Sequence, residues 1–148
     1  MPQFARPDQD TTIGNFSDAA AGVTNIFQSI DEASPANDAD FIRSPASPAN
    51  QVYVCRLSSV TDPVSSTGHV MRMRTSTDLS AQETLDFVQQ LRMTYVSEVS
   101  QGTLIASQSR NGVNSTTWTD SVYTLSGAEA DAITNYAALY FRFTVNKP

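Results

Sequence analysis

His69 is the only histidine in the chain and the side chain best suited to general base chemistry near neutral pH. Together with Asp62 it could supply two members of a Ser-His-Asp triad, the arrangement that transfers acyl groups. The chain has no Gly-x-Ser-x-Gly motif to present a nucleophilic serine, and VSSTGHV, residues 64–70, is typical of the end of a turn. We therefore expect no enzymatic activity, and we predict that His69 packs its ring or bonds a loop carbonyl.

The only cluster of acidic side chains falls within DEASPANDAD, residues 31–40. Its carboxylates belong to Asp31, Glu32, Asp38 and Asp40. Paired carboxylates serve glycosidases, and oxygen ligands at alternate positions suit calcium, but this segment lacks the glycine of an ion-binding loop. Its Asp, Pro, Ser and Asn content predicts a loop with solvated charges. We expect no metal and no cofactor, although the sequence leaves ion binding by this loop open.

Cysteine, charge and hydropathy exclude several classes of protein. Cys55 is the single cysteine, so the chain forms no internal disulfide, thiolate zinc site or redox pair, and its apolar strand context predicts a small buried residue. The net charge is −6 and Lys147 is the only lysine, which argues against binding to nucleic acid phosphates. No apolar stretch reaches membrane-spanning length and no export signal is visible, so we expect no membrane partner.

The scaffold that positions these side chains is predicted to be one β-rich domain, because 148 residues is a usual domain size and only 16% are charged. Strand patterns separated by turn signals occur at residues 51–57, 69–75, 85–99, 103–109, 116–125 and 139–145. VTNIFQSI, residues 23–30, fits both helix and strand, and its composition favours strand. Asn111-Gly112 signals a tight turn. About eight short strands predict an antiparallel β-sandwich, jelly-roll or Greek-key-like, with one short helix and an extended N-terminal arm.

Two arginines share one face of a predicted strand. HVMRMRT, residues 69–75, alternates strictly, so His69, Met71 and Met73 fall on one face. The opposite face carries Val70, Arg72 and Arg74. We regard Arg72 and Arg74 as candidates for contacts with acidic groups of a neighbouring subunit, with a solvated face as the alternative.

A helical turn is predicted just before the last strand. Ser126 and Glu129 form an S-x-x-E capping box, which predicts a helix from about residue 127 to residue 134. Tyr136 follows, in an arrangement similar to the tyrosine corner of Greek-key sandwiches, where the phenol bonds the backbone. We therefore assign Ser126, Glu129 and Tyr136 to a structural corner and not to catalysis.

Residues 1–22 are too polar to form a core of their own and are predicted to be an extended arm, with the sandwich spanning residues 23–148. The large or charged side chains expected to anchor this arm on a neighbouring subunit are Phe4, Arg6, Ile13 and Phe16. Deletion of residues 1–22 is then expected to leave the sandwich folded and to weaken binding to that partner.

Several motifs together resemble a family of β-sandwich proteins common among the structural genes of tailed bacteriophages. One is an Ile-Asp-Glu loop ending in Asp-aromatic-Ile-x-Ser, here Ile30, Asp31, Glu32, Asp40, Phe41, Ile42 and Ser44. A second is an Asp-Pro turn before a strand that carries His-Val and an arginine, here Asp62, Pro63, His69, Val70 and Arg72. A third is a corner that leads through Ile-Thr to a closing strand, here Leu125, Ile133, Thr134, Tyr136 and Leu139. The resemblance covers roughly residues 23 to 145.

This resemblance implies a virion component, most like a capsid cement or decoration protein on the outer surface of the head. Its partner would be the major capsid protein, bound at capsomer junctions, and shell symmetry suggests a trimer. One alternative is a carbohydrate-binding or host-attachment module, for which the candidate aromatic residues are Tyr53, Tyr95, Trp118 and Tyr123. Another is a tail or connector subunit, which would share the fold and differ in copy number.

Overall fold

A computed structural model describes residues 3–19, 24–32, 37–78 and 84–148. Over these ranges the chain is mainly β, with antiparallel sheets and one short α-helix, so the predicted sandwich-like class is confirmed. The strands are β1 (Pro7–Thr12), β2 (Ser17–Asp18), β3 (Ile42–Arg43), β4 (Gln51–Leu57), β5 (Val70–Thr75), β6 (Leu85–Met93), β7 (Thr103–Val113), β8 (Thr119–Thr124) and β9 (Leu139–Asn146). A 3₁₀ helix spans Ile26–Ser29, and α1 spans Gly127–Asp131. Neither described helix is long and apolar enough to cross a membrane.

The larger layer is a five-stranded sheet with the order β1-β4-β9-β6-β7. Its central strand, β9, pairs antiparallel with β4 on one side and with β6 on the other. Because side chains alternate across a strand, Tyr53 and Cys55 of β4 share the inner face with Phe143 and Phe141 of β9. Cys55 is fully buried on that face, as the sequence predicts.

The smaller layer consists of two separate pairs of strands that cover different halves of the inner face. The β5–β8 pair lies over β6 and β7, where Gln89 Nε2 donates to the Arg72 carbonyl at 3.1 Å and Ser121 donates to Gln108 at 3.2 Å. The β2–β3 pair and the 3₁₀ helix lie near β1 and β4, where the Phe27 amide donates to Asp10 Oδ1 at 3.0 Å. The core lies between the two layers.

The segment VTNIFQSI differs from its prediction as a strand, which was wrong for residues 26–29. This part forms the 3₁₀ helix, with i→i+3 bonds from Gln28 to Asn25 and from Ile30 to Phe27. Tertiary contacts override the β propensity here, because Ile26 is buried in the core and the Ser29 hydroxyl donates to Asp18 at 2.7 Å. Residue 23 lies outside the described residues.

The hairpin of β6 and β7 also differs in its boundaries. β6 ends at Met93, before the predicted limit at residue 99, and a loop leads to β7. The Asn111-Gly112 pair makes no tight turn between strands, since β7 continues through it to Val113. Gly112 instead adopts φ +65° at an irregularity in the register, where its amide donates to Asp86 at 2.7 Å.

Residues 7–12 of the predicted arm form β1, which pairs with β4 of the same chain. The Asp10 carboxylate accepts a hydrogen bond of 2.7 Å from the hydroxyl of Tyr53, whose side chain is fully buried. The middle of the predicted arm is therefore docked on its own sheet. Residues 20–22, next to the predicted boundary, lie outside the described residues.

Candidate functional site

An open groove separates the two halves of the smaller layer, and its floor is the inner face of the central strand. Phe141 and Phe143 lie there on β9 with their rings 5.8 Å apart, and both are only half-buried. Phe87 of β6, also half-buried, continues the floor to one side. The middle of a sandwich sheet is normally its most buried part, so these phenylalanines mark a region that the described residues leave partly uncovered.

The walls of the groove come from β5 on one side and from the segment 37–48 on the other, with residues 3–7 also at its margin. Its volume is about 1620 Å³, larger than the roughly 300–1,000 Å³ of common small-molecule pockets. All six residues of β5 line the groove, both the inward and the outward side chains, whereas β8 contributes only Asp120 and Val122. The edge of β5 therefore runs along the groove.

That edge of β5 presents unpaired backbone groups. The Leu125 amide donates to the His69 carbonyl at 2.9 Å, and hydrogen-bonded residues alternate along an antiparallel pair. Residues 71, 73 and 75 consequently bond β8, while the N–H and C=O groups of Val70, Arg72 and Arg74 point away from it. One of these six groups, the Arg72 carbonyl, accepts the hydrogen bond from Gln89.

The two arginines predicted to contact a neighbouring subunit behave differently. Arg74 is engaged within the groove lining, because its guanidinium bonds both oxygens of Asp38, the Nε bond being 2.6 Å, and lies 3.1 Å from Asp120. The hydrogen bond from Arg74 lowers the pKa of Asp38. Arg72 is exposed and makes no ion pair with any described residue, so it is a free cation at the rim.

Three of the four predicted arm anchors lie at the groove and one does not. Phe4 and Arg6 line its margin, where Phe4 is 63% exposed and Gln3 is tied to Thr61 by two hydrogen bonds. Phe16 also lines the groove and packs its ring 5.8 Å from that of Tyr53. Ile13 lies away from the groove lining and is 37% exposed.

The predicted corner is present, with a different partner for its tyrosine. Ser126 and Glu129 form the capping box of α1, which ends at residue 131 and not near 134. The Tyr136 hydroxyl and His69 Nε2 share a hydrogen bond of 2.8 Å in place of the backbone bond predicted for the tyrosine. The His69 ring packs 5.9 Å from the Tyr136 ring, which is the first of the two alternatives predicted for this histidine. A small cavity of about 320 Å³ beside Tyr136 is lined by Asp62 and Asp131. Asp62 lies with the tyrosine and does not bond the histidine, so no catalytic triad forms among these residues.

The acidic loop does not gather its carboxylates into a metal site within the described part of the chain. Asp38 is engaged by Arg74, and no group of three or more His, Cys, Asp or Glu residues there could hold a metal ion. Burial raises the pKa of Glu32, and the nearby charges of Asp40 and Asp31 raise it further. Residues 33–36 of this loop lie outside the described residues.

The aromatic residues considered for sugar binding do not form an exposed platform. Tyr53 and Tyr95 are buried, at 0% and 3% exposed. Trp118 is half-buried and packs edge-on against Phe41 at 5.2 Å, and the Tyr123 hydroxyl donates to Glu129 at 2.8 Å. Each of these side chains is engaged with its own chain.

The buried polar contacts that shape the site were hard to predict from the sequence. Gln89 and Gln108 bond each other on the inner face beneath β5 and β8, at positions where the strand pattern leads one to expect apolar residues. Their inward register in two paired strands was the available signal. The acceptor role of Asp10 had no such signal, because it depends on the pairing of β1 with a distant strand.

Comparison of the chain with models of known protein families, with curated proteins and with solved structures finds no match.

Proposed function

We propose that the chain is a structural protein of a tailed bacteriophage, a cement or decoration protein that binds the head shell at capsomer junctions and stabilises it. The observation that carries the proposal is the open groove floored by Phe141 and Phe143. A large apolar surface that remains uncovered in one chain is typical of a site that another protein covers. The motif resemblance supplies the kind of assembly in which this binding takes place.

The composition of the groove favours a protein partner over a small molecule or a sugar. Its lining is predominantly apolar at the floor, its rim carries charges of both signs, and its volume exceeds that of a single-ligand pocket. The aromatic residues that a sugar-binding module would expose are buried or packed. We propose binding and not catalysis, with the major capsid protein as partner and a trimer as the assembled form.

A second exposed apolar surface lies at the end of the β6–β7 hairpin and fits the same proposal. Val96 and Val99 in the connecting loop are 73% and 99% exposed, and Leu104 at the start of β7 is 47% exposed. These valine side chains bury little apolar surface within their own chain, so contact with a neighbouring protein would be the main way to remove them from water.

The copy number of this chain in purified particles tests the proposal. Quantitative mass spectrometry should give a copy number comparable to that of the major shell protein. The purified chain should sediment as a trimer. A few copies per particle would instead indicate a tail, connector or attachment subunit. Complete absence from the particles would show that the virion proposal is wrong.

A further inference from the structure

Among the residues that the structure describes, the smaller layer of the sandwich has no strand where the groove lies. The larger layer has five hydrogen-bonded strands, whereas β5 and β8 cover only the β6–β7 half of its inner face. The β2–β3 pair has two residues in each strand and is not joined to β5. Between them the described chain places no strand over Phe141 and Phe143.

The edge of β5 is suited to receive that strand. Val70, Arg72 and Arg74 direct their backbone N–H and C=O groups away from β8, and the groove runs alongside them. Six residues of extended chain span about 20 Å, and the three alternate residues offer a segment of similar length five backbone groups without a hydrogen bond among the described residues, because the Arg72 carbonyl already accepts from Gln89. Side chains of an added strand that point inward would lie beside Met71 and Met73, over the phenylalanine floor.

We propose that the groove binds an extended segment of a partner protein by strand addition to β5, so that the segment becomes the third strand of the smaller layer. The segment has apolar side chains at alternate positions, which the floor buries. It has a carboxylate on the outward face, because Arg72 is exposed there without an ion pair among the described residues. This deepens the proposed function and rests on it only in naming a shell protein as the source of the segment.

The other occupants of the groove fit less well. A helix would leave the backbone groups of β5 without partners, and a small apolar molecule would fill only part of the volume. A carboxylate of any partner segment could pair with Arg72, so complementarity to Arg72 does not require a second copy of this chain, and filling of the groove by a second copy is an outcome of the test below.

The test uses the purified full chain and a display library of random nine-residue peptides. We expect enriched peptides to have apolar residues at alternate positions and an acidic residue between them. N-methylation of alternate backbone amides in an enriched peptide should weaken binding about tenfold or more, whereas methylation of the intervening amides should have little effect. Enrichment of helical spacing, insensitivity to methylation, or no enrichment at all would overturn the proposal.

Two variants at one position separate the backbone contribution from the charge. Arg72→Ala removes only the side chain and should weaken binding a few-fold, while Arg72→Pro also removes an N–H that β8 does not use and should weaken it about tenfold further. Urea unfolding shows whether each variant is folded. Should Arg72→Pro not fold, the methylated peptides still decide the question, and equal binding by both folded variants would contradict strand addition.

Amide exchange identifies the occupant. In the free chain, NMR should show fast exchange at Val70, Arg72 and Arg74 and slow exchange at Met71 and Met73, with protection of the first three when an enriched peptide binds. Protection of the same amides by self-association, without peptide, would mean that a second copy fills the groove and would overturn a distinct partner. Because these readouts need no particles, absence from virions would refute the proposed function while leaving strand addition intact.

Discussion

Asp10 is a single side chain that ties the first strand to the core. Its Oδ1 accepts hydrogen bonds from the Tyr53 hydroxyl at 2.7 Å and from the Phe27 amide at 3.0 Å. Burial, chiefly, raises the pKa of Tyr53, with a further contribution from the nearby thiol of Cys55, so the phenol remains a hydrogen-bond donor at ordinary pH. One carboxylate oxygen therefore joins β1, β4 and the 3₁₀ helix.

Substitution of Asp10 should consequently cost more than substitution of a surface aspartate. Asp10→Ala leaves a buried hydroxyl and an amide without their acceptor, and we expect a loss of about 3 kcal/mol in the free energy of unfolding, measured with urea. Asp62→Ala is the matched control, because Asp62 is exposed and accepts a local hydrogen bond from the Val64 amide. Equal losses in the two variants would show that the Asp10 contacts do not stabilise the fold.

Glu98 forms an ion pair whose contribution should depend on pH. The Arg142 guanidinium lies 2.7 Å from it, and the Tyr95 hydroxyl donates to it at 2.8 Å. The hydrogen bond from Arg142 lowers the pKa of Glu98, so the folded state favours the carboxylate. The resulting stability is present above the unfolded-state pKa of about 4.3 and is lost as the pH falls through the lower folded value.

Comparison of the protein with Glu98→Gln measures this contribution. At neutral pH we expect the variant to be less stable by about 1 kcal/mol at most, because the pair is partly exposed to solvent. The difference in stability should shrink as the pH falls below about 4, because Glu98 then becomes protonated and loses its charge. The other acidic groups titrate equally in both proteins and cancel in the comparison. Urea unfolding at several pH values provides the data, and a difference independent of pH would contradict the assignment.

Among individual residues, the sequence predicted those whose role is local and missed those whose role is tertiary. Ser126 and Glu129 were identified because a capping box depends only on neighbours in the sequence. The partner of Tyr136 was missed, since His69 is brought to it by packing of distant segments. The pattern of residues along the sequence does not show which distant side chains come into contact.

Gly102 determines how the long hairpin of the larger sheet closes. It adopts φ +66°, and a Cβ added there would lie 2.1 Å from the Met93 carbonyl oxygen. Gly68, next to the groove, also has positive φ, at +83°, but a Cβ there would meet nothing within 4 Å. The two glycines share a backbone conformation with positive φ, but only Gly102 lacks room for a side chain.

The pair Gly102→Ala and Gly68→Ala therefore separates the two costs. For Gly68→Ala we expect a loss of about 1 kcal/mol from the left-handed conformation alone. Gly102→Ala should lose about 3 kcal/mol or more, because the backbone of residues 93 and 94 must also move. Thermal and urea unfolding measure both, and a similar loss in the two variants would mean that the hairpin accommodates the methyl group.

At the level of elements, periodicity succeeded where one face of a strand is buried. The alternation in residues 69–75 correctly placed Met71 and Met73 on one face of the strand, which is buried, and Arg72 and Arg74 on the other. It failed for residues 26–29, where apolar spacing fits two periods and the packing of Ile26 selects the 3₁₀ helix. Composition alone does not choose between them.

At the scale of the whole molecule, we expect the N-terminal segment to contribute to stability, because residues 7–12 pair with β4, whereas the sequence predicted that the sandwich would not need residues 1–22. Removal of residues 1–22 would delete β1 and leave the Tyr53 hydroxyl buried without its acceptor, so we expect a loss of about 3 kcal/mol or more. Removal of residues 1–6 spares β1 and should cost much less, while it takes Phe4 away from the groove margin. Urea unfolding of both truncations tests this, and equal stability of the longer truncation and the full chain would contradict it.

The shorter truncation is also the better test of the arm in binding. Its loss of affinity for the shell could be attributed to contacts of residues 1–6, since the sheet remains complete. At the scale of the molecule, the sequence indicated a polar β-sandwich correctly. It did not indicate the groove, because that depends on how many strands cover the central phenylalanines.

The position of β9 sets the order in which this protein can be completed on the ribosome. Of the five strands in the larger sheet, the one that emerges last takes the central place. Until residue 146 has left the exit tunnel, β4 and β6 each have one edge whose hydrogen bonds to β9 are not yet formed, next to exposed apolar side chains. A nascent chain halted before Leu139 would hold two half-sheets that cannot join, and such chains are natural substrates for chaperones and proteases.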